Sequence, residues 1–176
     1  MTPQLPDGLL LMASDPFGED AMRLVNEMTM EVRDRYRDHF TDPAKPPVND
    51  PLVPRSTFLL ARIDDRPVAC GALRPMDEEA AEVRRMYVAP SVRRKGIARR
   101  LLTALEQVAS GFGYRILRLE TGNCQPEAIA LYESFGFYRI PPYGCHIGDP
   151  LSICFEKSVT ADAACAEQDT FSAVKP

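Results

Sequence analysis

The chain has 176 residues, of which 45% are hydrophobic and 26% charged, and its formal net charge is −4. This length suits one domain with its own hydrophobic core, and the composition is ordinary for a globular protein in water. A pI near 5.3 argues against a nucleic-acid surface, and no apolar run is long enough to span a membrane. Five scattered cysteines and two distant histidines give no support to a disulfide framework or a metal site, and they favour a cytoplasmic location.

The first half of the chain predicts one helix and three strands. In chain order we expect a strand at residues 9–13, an amphipathic helix at 17–40 and a proline-rich surface loop at 41–54. The two strands of an antiparallel hairpin follow at 57–63 and 67–73. Asp15, directly before Pro16, is a helix-start signal. Asp64, Asp65 and Arg66 provide the hairpin turn.

The second half predicts alternating strands and helices. The expected order is strand, helix, strand, helix and a last strand, at residues 82–88, 97–112, 115–120, 126–135 and 151–157. The complete order indicates a single α/β domain over residues 1–158, antiparallel in its first half and with a βαβ crossover in its second. Residues 159–176 are rich in alanine, aspartate and serine, and we expect them to form a disordered tail.

The most informative segment is the basic, glycine-containing turn Arg93–Ala98, which follows the strand Glu82–Val88 and opens a helix. The free N–H groups of a first helical turn point outward, and the helix dipole favours negative charge there. Gly96 has no Cβ, so the backbone can approach a phosphate closely. The turn therefore predicts a site for a phosphorylated ligand, with the N–H groups from Arg94 to Arg99 as its cradle.

The sequence Arg-Arg-Lys-Gly-Ile-Ala at residues 93–98 resembles the Arg/Gln-x-x-Gly-x-Gly/Ala signature of the GNAT superfamily of N-acetyltransferases. Leu131-Tyr132 followed by Gly136-Phe137 matches a second landmark of that superfamily. The resemblance extends over about residues 58–157. It implies a GNAT-like α/β fold, a mixed twisted sheet with helices on both faces and a V-shaped split around a central βαβ unit. It also implies acetyl-CoA as co-substrate and no metal.

The resemblance also implies which residues bind the cofactor. The main chain of Met86 and Val88 would hold the pantetheine arm, and the basic turn would hold the diphosphate. Many members of the superfamily carry an asparagine where this chain has Gln125, a longer side chain. The expected cofactor-binding residues are Met86, Tyr87, Val88, Arg93, Arg94, Lys95, Gly96, Ile97, Ala98, Arg99, Gln125 and Tyr132.

Tyr132 stands where the superfamily usually places the residue that protonates the departing CoA thiolate. A phenol of pKa about 10 is protonated at neutral pH and can donate to a thiolate whose acid has a pKa near 8.5. The alternative is that Tyr132 is one more aromatic residue of the core.

Glu82 is the candidate general base, because an ammonium acceptor must lose a proton before it attacks a thioester. Strand alternation predicts that Glu82, Arg84, Met86 and Val88 share one face. Arg84 would then weaken Glu82 as a base, or grip a carboxylate of the substrate. The alternative is that Glu82 is an exposed charge at the start of its strand.

Three residues are candidates for contact with the acceptor, namely Arg84, Glu120 and Tyr143. Each has an alternative structural role, and His146 beside Tyr143 is a weaker candidate of the same kind.

The resulting hypothesis is direct acetyl transfer from acetyl-CoA to the primary amine of a small molecule, without a covalent enzyme intermediate. The alternatives are acetylation of a peptide or protein amine, and a non-catalytic module that binds acetyl-CoA. A P-loop nucleotide enzyme is disfavoured, because the turn lacks the Lys-Ser/Thr pair of that motif. The oligomeric state is left open between monomer and homodimer.

Overall fold

A computed structural model describes residues 6–39 and 48–159. Its helices are α1 (Glu19–Arg35), α2 (Ile97–Gly111) and α3 (Pro126–Ser134). Seven strands complete the described part, and they are β1 (Leu10–Ala13), β2 (Thr57–Ile63), β3 (Arg66–Pro75), β4 (Ala80–Val88), β5 (Ile116–Gly122), β6 (Tyr138–Ile140) and β7 (Ser152–Ser158). No helix among these residues is both long enough and apolar enough to cross a membrane.

The strands form one mixed sheet in the order β1-β2-β3-β4-β5-β7-β6. β1 to β4 are antiparallel neighbours, β4 and β5 are parallel, and β7 runs antiparallel to both β5 and β6. The parallel pair needs a crossover, and α2 supplies it. The predicted βαβ unit and the mixed α/β sheet are both confirmed.

Helices cover both faces of the sheet, as predicted. On one face, α2 buries Ile97, Leu101 and Leu105 in a core that includes Leu117, Leu119 and Phe155 of the central strands. On the other face, α1 packs Ala21, Leu24 and Val25 against Phe58, Leu60 and Cys70. Each helix presents an apolar stripe at three- and four-residue spacing, so burial of these stripes fixes both helices on the sheet.

The first helix is shorter than its sequence pattern predicts. It begins after Gly18 rather than at Asp15, whose Oδ1 instead accepts a hydrogen bond of 2.9 Å from the backbone N–H of Phe17. It ends at Arg35, five residues before Phe40. Residues 160–176 of the predicted disordered tail and residues 41–47, half of the predicted proline-rich loop, lie outside the described part.

Strands β2 to β4 have two special backbone features, of which the second bears on the site. The hairpin between β2 and β3 turns at Asp64 and Asp65, both with positive φ (47° and 60°), which is the conformation of a two-residue hairpin turn. In β4, Arg85 has φ of 56°, and the register with β3 shifts by one residue there. This β-bulge reverses the alternation of side chains along β4.

The bulge makes one sequence prediction wrong. Glu82 lies between Ala81 and Val83, which face the α2 core, so Glu82 points to the opposite face, as Arg84 does. Met86 and Val88 pack against the α2 core, whereas Tyr87 faces α1. Glu82 and Arg84 therefore do not share a face with Met86 and Val88.

Candidate active site

The sheet splits between its two central strands. β4 and β5 pair only at their first residues, Ala80 with Ile116, Ala81 with Leu117 and Glu82 with Arg118. From Val83 onward, the edge of β4 that faces β5 has no strand partner in the described structure. The V-shaped split expected from the resemblance is thus present, and Glu82 stands at its vertex.

A cleft of about 790 Å³ opens beyond this split. Its walls are the end of β4, the turn before α2, one face of α3 and one face of α1. All the expected cofactor-binding residues line it except Lys95, which is exposed nearby. The wall formed by α1 consists of Met28, Glu31, Val32 and Arg35.

The turn at the start of α2 presents free N–H groups to this cleft. Arg94 and Gly96 both have positive φ (62° and 78°), and Gly96 is the N-cap of α2. Within the described residues, none of the backbone N–H groups from Arg94 to Arg99 donates a hydrogen bond, and the first such donor is Arg100, to the Gly96 carbonyl. Successive N–H groups in such a turn form an anion-binding concavity, so the chain fits the diphosphate of a cofactor here.

The side chain of Arg93 is held by the protein itself. Its guanidinium donates to both carboxylate oxygens of Glu31 (3.0 and 2.5 Å), and its Nε donates to the Val88 carbonyl (2.8 Å). The hydrogen bond from Arg93 is the main cause that lowers the pKa of Glu31, and the same contact raises that of Arg93. Arg93 therefore fastens the turn to α1 and β4, while Arg94 and Lys95 keep exposed side chains without an ion pair in the described residues.

Contacts between the C-terminal end of α1 and the start of α3, with the turn before it, close one end of the cleft. Arg35 pairs with Glu127 (2.9 Å), and the Tyr36 hydroxyl accepts a hydrogen bond from the backbone N–H of Cys124 (2.7 Å). Gln125 also contacts the Tyr36 hydroxyl with its side chain. Gln125 thus lines the cleft, as expected for a cofactor contact, but its side chain also fixes Tyr36.

Tyr132 is an aromatic residue of the core that also lines the cleft. Its ring packs against Phe137 and Phe155, with centroid distances of 5.9 and 6.0 Å, and only 5% of its surface is exposed. It also lines the cleft, and no hydrogen bond of its hydroxyl to another described residue is found. Burial, and then the negative charge of Glu120, raise the pKa of Tyr132, so that it remains a proton donor at neutral pH.

Glu82 is buried rather than exposed, and its side chain is only 4% accessible. Arg74 Nε donates to its Oε2 (2.8 Å), the Tyr143 hydroxyl donates to its Oε1 (2.9 Å), and Arg84 Nε lies 3.7 Å from Oε2. His146 Nε2 is 3.9 Å from Oε1. The structure therefore brings Glu82, Arg84 and Tyr143 together, on the α1 side of the vertex.

Glu120 lies farther along β5 and is less constrained. Its Oε1 accepts a hydrogen bond from Ser152 (2.7 Å), and it has no ion pair with another described residue. Burial is the main cause that raises the pKa values of Tyr132 and Tyr143; the charge of Glu120 is the second cause for Tyr132 and a smaller one, behind Glu82, for Tyr143. Glu120 is thus near enough to affect both phenols electrostatically.

The sequence did not single out Glu31, Arg35, Asp50 or Arg74. Two of them have partners that are distant in the chain, since Glu31 meets Arg93 and Asp50 meets Arg84. The helical spacing of Met28, Glu31, Val32 and Arg35 is the one signal that marks the α1 wall as a continuous face.

Comparisons with known proteins agree with this geometry. Residues 24–137 match the model of the acetyltransferase (GNAT) family. An IAA acetyltransferase of Azospirillum brasilense is 37% identical over 150 residues, which cover 81% of this chain and 92% of that protein.

Two solved structures share the fold. A Klebsiella pneumoniae protein, provisionally assigned as an acyl-CoA N-acyltransferase, superimposes with a TM-score of 0.71 and 27% identity over 86% of this chain and 98% of its own. An Elizabethkingia anophelis GNAT acetyltransferase with acetyl-CoA bound gives a TM-score of 0.62 at 19% identity, over 87% of this chain and 99% of its own. The chain belongs to the GNAT family of acetyltransferases and is an acyltransferase enzyme.

Proposed function

We propose that this enzyme transfers the acetyl group of acetyl-CoA to a primary amine of a small molecule. One observation carries the proposal, namely that a single cleft is lined by the end of β4, whose edge toward β5 is unpaired, by the free N–H groups before α2 and by the Tyr132 side chain. Each of these features meets one need of such a transfer.

The main chain would hold the co-substrate. The N–H groups from Arg94 to Arg99 would bind the diphosphate, with Arg94 and Lys95 adding positive charge. The split edge of β4 at Met86 and Val88 would hydrogen-bond the pantetheine arm as a β-strand does. When bound, acetyl-CoA supplies the acetyl group in activated form, as a thioester.

Tyr132 is proposed as the proton donor to the leaving sulfur. The bond between nitrogen and the acetyl carbon forms, the bond between that carbon and sulfur breaks, and the Tyr132 proton moves to the thiolate. The proton that the nitrogen loses as it becomes an amide goes to solvent, from which Tyr132 is protonated again. Its raised pKa keeps the donor protonated at the pH of the reaction.

Glu82 is proposed as the group that takes the proton of the incoming ammonium. It lies at the vertex of the split, and a carboxylate keeps further lone pairs after accepting one hydrogen bond at each oxygen. Glu120 is the second candidate, because Ser152 is the single donor found for it among the described residues.

A small acceptor is favoured by what surrounds Glu82. Tyr143 and His146, from the segment between β6 and β7, contact or approach its carboxylate and cover it. An open groove for a peptide or protein would need this cover to be absent.

The test is a Tyr132→Phe variant, with thiol release measured on a panel of amines. We expect acetyl-CoA to bind with unchanged affinity by calorimetry, because the ring packing is kept, while kcat falls about 10²-fold or more. Tyr138→Phe is the matched control, since this tyrosine on β6 is 52% exposed and is not among the residues that line the cleft. Unchanged kcat in Tyr132→Phe would remove the acid role, and absence of thiol release with every amine would favour a non-catalytic acetyl-CoA-binding protein.

A further inference from the structure

A carboxylate of the protein sits between two arginines beside Glu82. Asp50, in the segment before β2, pairs with Arg84 through Oδ2, and its Oδ1 lies 3.6 Å from Arg74 Nη1. The same arginines hold Glu82 from the other side, at 2.8 Å from Arg74 and 3.7 Å from Arg84. Two guanidinium groups are thus shared by one buried carboxylate and one that is 45% exposed.

The positive charge around Asp50 favours an anion at its position. Arg85 adds a third guanidinium, and its pKa is lowered by burial and by the nearby charges of Arg84 and Arg74. Three positive charges therefore lie near Asp50, and two of them also hold Glu82. If the Asp50 carboxylate leaves, Arg74 and Arg84 keep Glu82 as their one shared carboxylate, and a guanidinium is well suited to bind a further carboxylate.

Asp50 can leave without a movement of its segment. The adjacent Asn49 is 2% exposed, donates from its side chain to the Pro16 carbonyl (2.7 Å) and accepts from Arg85 Nε (3.1 Å). The backbone is anchored there, whereas the Asp50 side chain can rotate into solvent. A cavity of about 20 Å³, room for about one water, adjoins Asp50 and the arginines.

We propose that Asp50 occupies the site at which a carboxylate of the substrate binds, here called the carboxylate site. The acceptor is then an amine that also bears a carboxylate, such as an amino acid. The inference rests on the proposed function and specifies its substrate class. Arg84 and Arg74 would hold the carboxylate, on the same face as Glu82 at the vertex of the split. Asp50 competes with the substrate for these arginines.

The carboxylate site can be tested by ligand binding alone. Asp50→Ala vacates the arginines, and we expect sodium acetate, but not sodium chloride at equal ionic strength, to raise the melting temperature of this variant in a saturable manner. Wild type should show a weaker response, and Asp50→Ala combined with Arg84→Gln should lose it. Equal responses to acetate in wild type and Asp50→Ala would overturn the proposal.

Turnover tests the substrate class. Matched acceptors that differ by one carboxylate, phenylalanine with phenethylamine and lysine with cadaverine, are compared by kcat/KM, and we expect about tenfold preference for the carboxylated member. Asp50→Ala should lower KM for the carboxylated members alone, whereas Arg84→Gln should abolish the preference. Arg62→Gln, which breaks a pair with Asp20 away from the site, should leave the ratio unchanged.

The outcomes separate this inference from the proposed function. Thiol release only with the amines that lack a carboxylate would contradict the carboxylate site. So would a KM for the carboxylated amines that rises in Asp50→Ala. Neither result would contradict acetyl transfer to an amine. Absence of thiol release with every amine would overturn the proposed function. The response of Asp50→Ala to acetate would still decide whether the carboxylate site exists. Arg84→Gln also removes a partner of the buried Glu82. If Arg84→Gln does not fold, the test rests on Asp50→Ala, because Asp50 is half-exposed.

Discussion

At the scale of single residues, the environments of Glu82 and Glu120 predict different effects of removing their charge. If Glu82 is the base, Glu82→Gln should lower kcat/KM by about 10²-fold or more at pH 7.5, and Glu120→Gln by much less. A rise in pH should partly restore the Glu82→Gln activity, because the acceptor amine then loses its proton to water. The measurement is the pH profile of kcat/KM for both variants.

The two variants also differ in stability, which serves as a control. Glu82→Gln leaves Arg74 and Arg84 facing a neutral group in a buried place, so we expect a loss of about 1–3 kcal/mol in the free energy of unfolding. Glu120→Gln has no ion pair to lose within the described structure. If Glu120→Gln shows the larger, pH-dependent loss of activity, the base role passes to Glu120.

Tyr132 also predicts how stability depends on alkaline pH. Its pKa is raised in the folded protein, so above about pH 10 the unfolded chain releases this proton while the folded protein keeps it. Stability should therefore fall as pH rises through this range, by about 1.4 kcal/mol per pH unit from this group, and be unaffected by it below about pH 9. Chemical unfolding at pH 9 and 10.5 should show a smaller decrease for Tyr132→Phe than for wild type, and equal decreases would contradict the assignment.

At the scale of elements, local sequence patterns predicted the three helices, the turn before α2 and every strand except the three-residue β6. The apolar stripe of α2 and the Asp64–Asp65 turn are formed by neighbours in sequence, so their patterns are readable. The bulge in β4 cannot be recognised from the sequence, because Arg85 adopts positive φ although it is not a glycine. The fixing of Arg93 by Glu31 depends on the docking of α1, which no local pattern encodes.

The contact between α1 and the end of β5 depends on a glycine. A Cβ on Gly122 would lie 1.9 Å from the Tyr36 hydroxyl oxygen and 2.5 Å from Tyr36 Cζ, so Gly122→Ala must displace the end of α1. We expect a loss of about 1–3 kcal/mol in the free energy of unfolding, together with weaker acetyl-CoA binding, because Tyr36 and Gln125 close the cleft.

Gly111→Ala is the matched control for this substitution. Gly111 ends α2, and a Cβ there meets no atom within 4 Å. Alanine favours helix over glycine by up to about 1 kcal/mol, so the control should be neutral or slightly stabilising in chemical unfolding. Equal behaviour of the two variants would show that Tyr36 does not determine the position of α1.

At the scale of the whole molecule, the sheet consists of two halves joined weakly along the cleft. β1–β4 and β5–β7 share the three residue pairs at the start of β4 and β5, and the contacts of Arg35 and Tyr36 connect α1 to the turn before α3. A ligand that fills the cleft contacts both halves, so its binding energy adds to the stability of the complete fold.

Acetyl-CoA should therefore raise the melting temperature of the protein. At 100 times its Kd, a ligand specific for the folded state adds about 2.7 kcal/mol, which corresponds to roughly 5–10 °C for a domain of this size. ATP shares the phosphates but has no pantetheine arm for the split edge of β4, so its effect should be smaller. Arg35→Gln should lower the melting temperature of the free protein but keep most of the increment from acetyl-CoA, because the split edge and the turn before α2 are unchanged. An increment from ATP as large as that from acetyl-CoA would indicate a phosphate site without a pantetheine channel, and would contradict the assignment of the β4 edge.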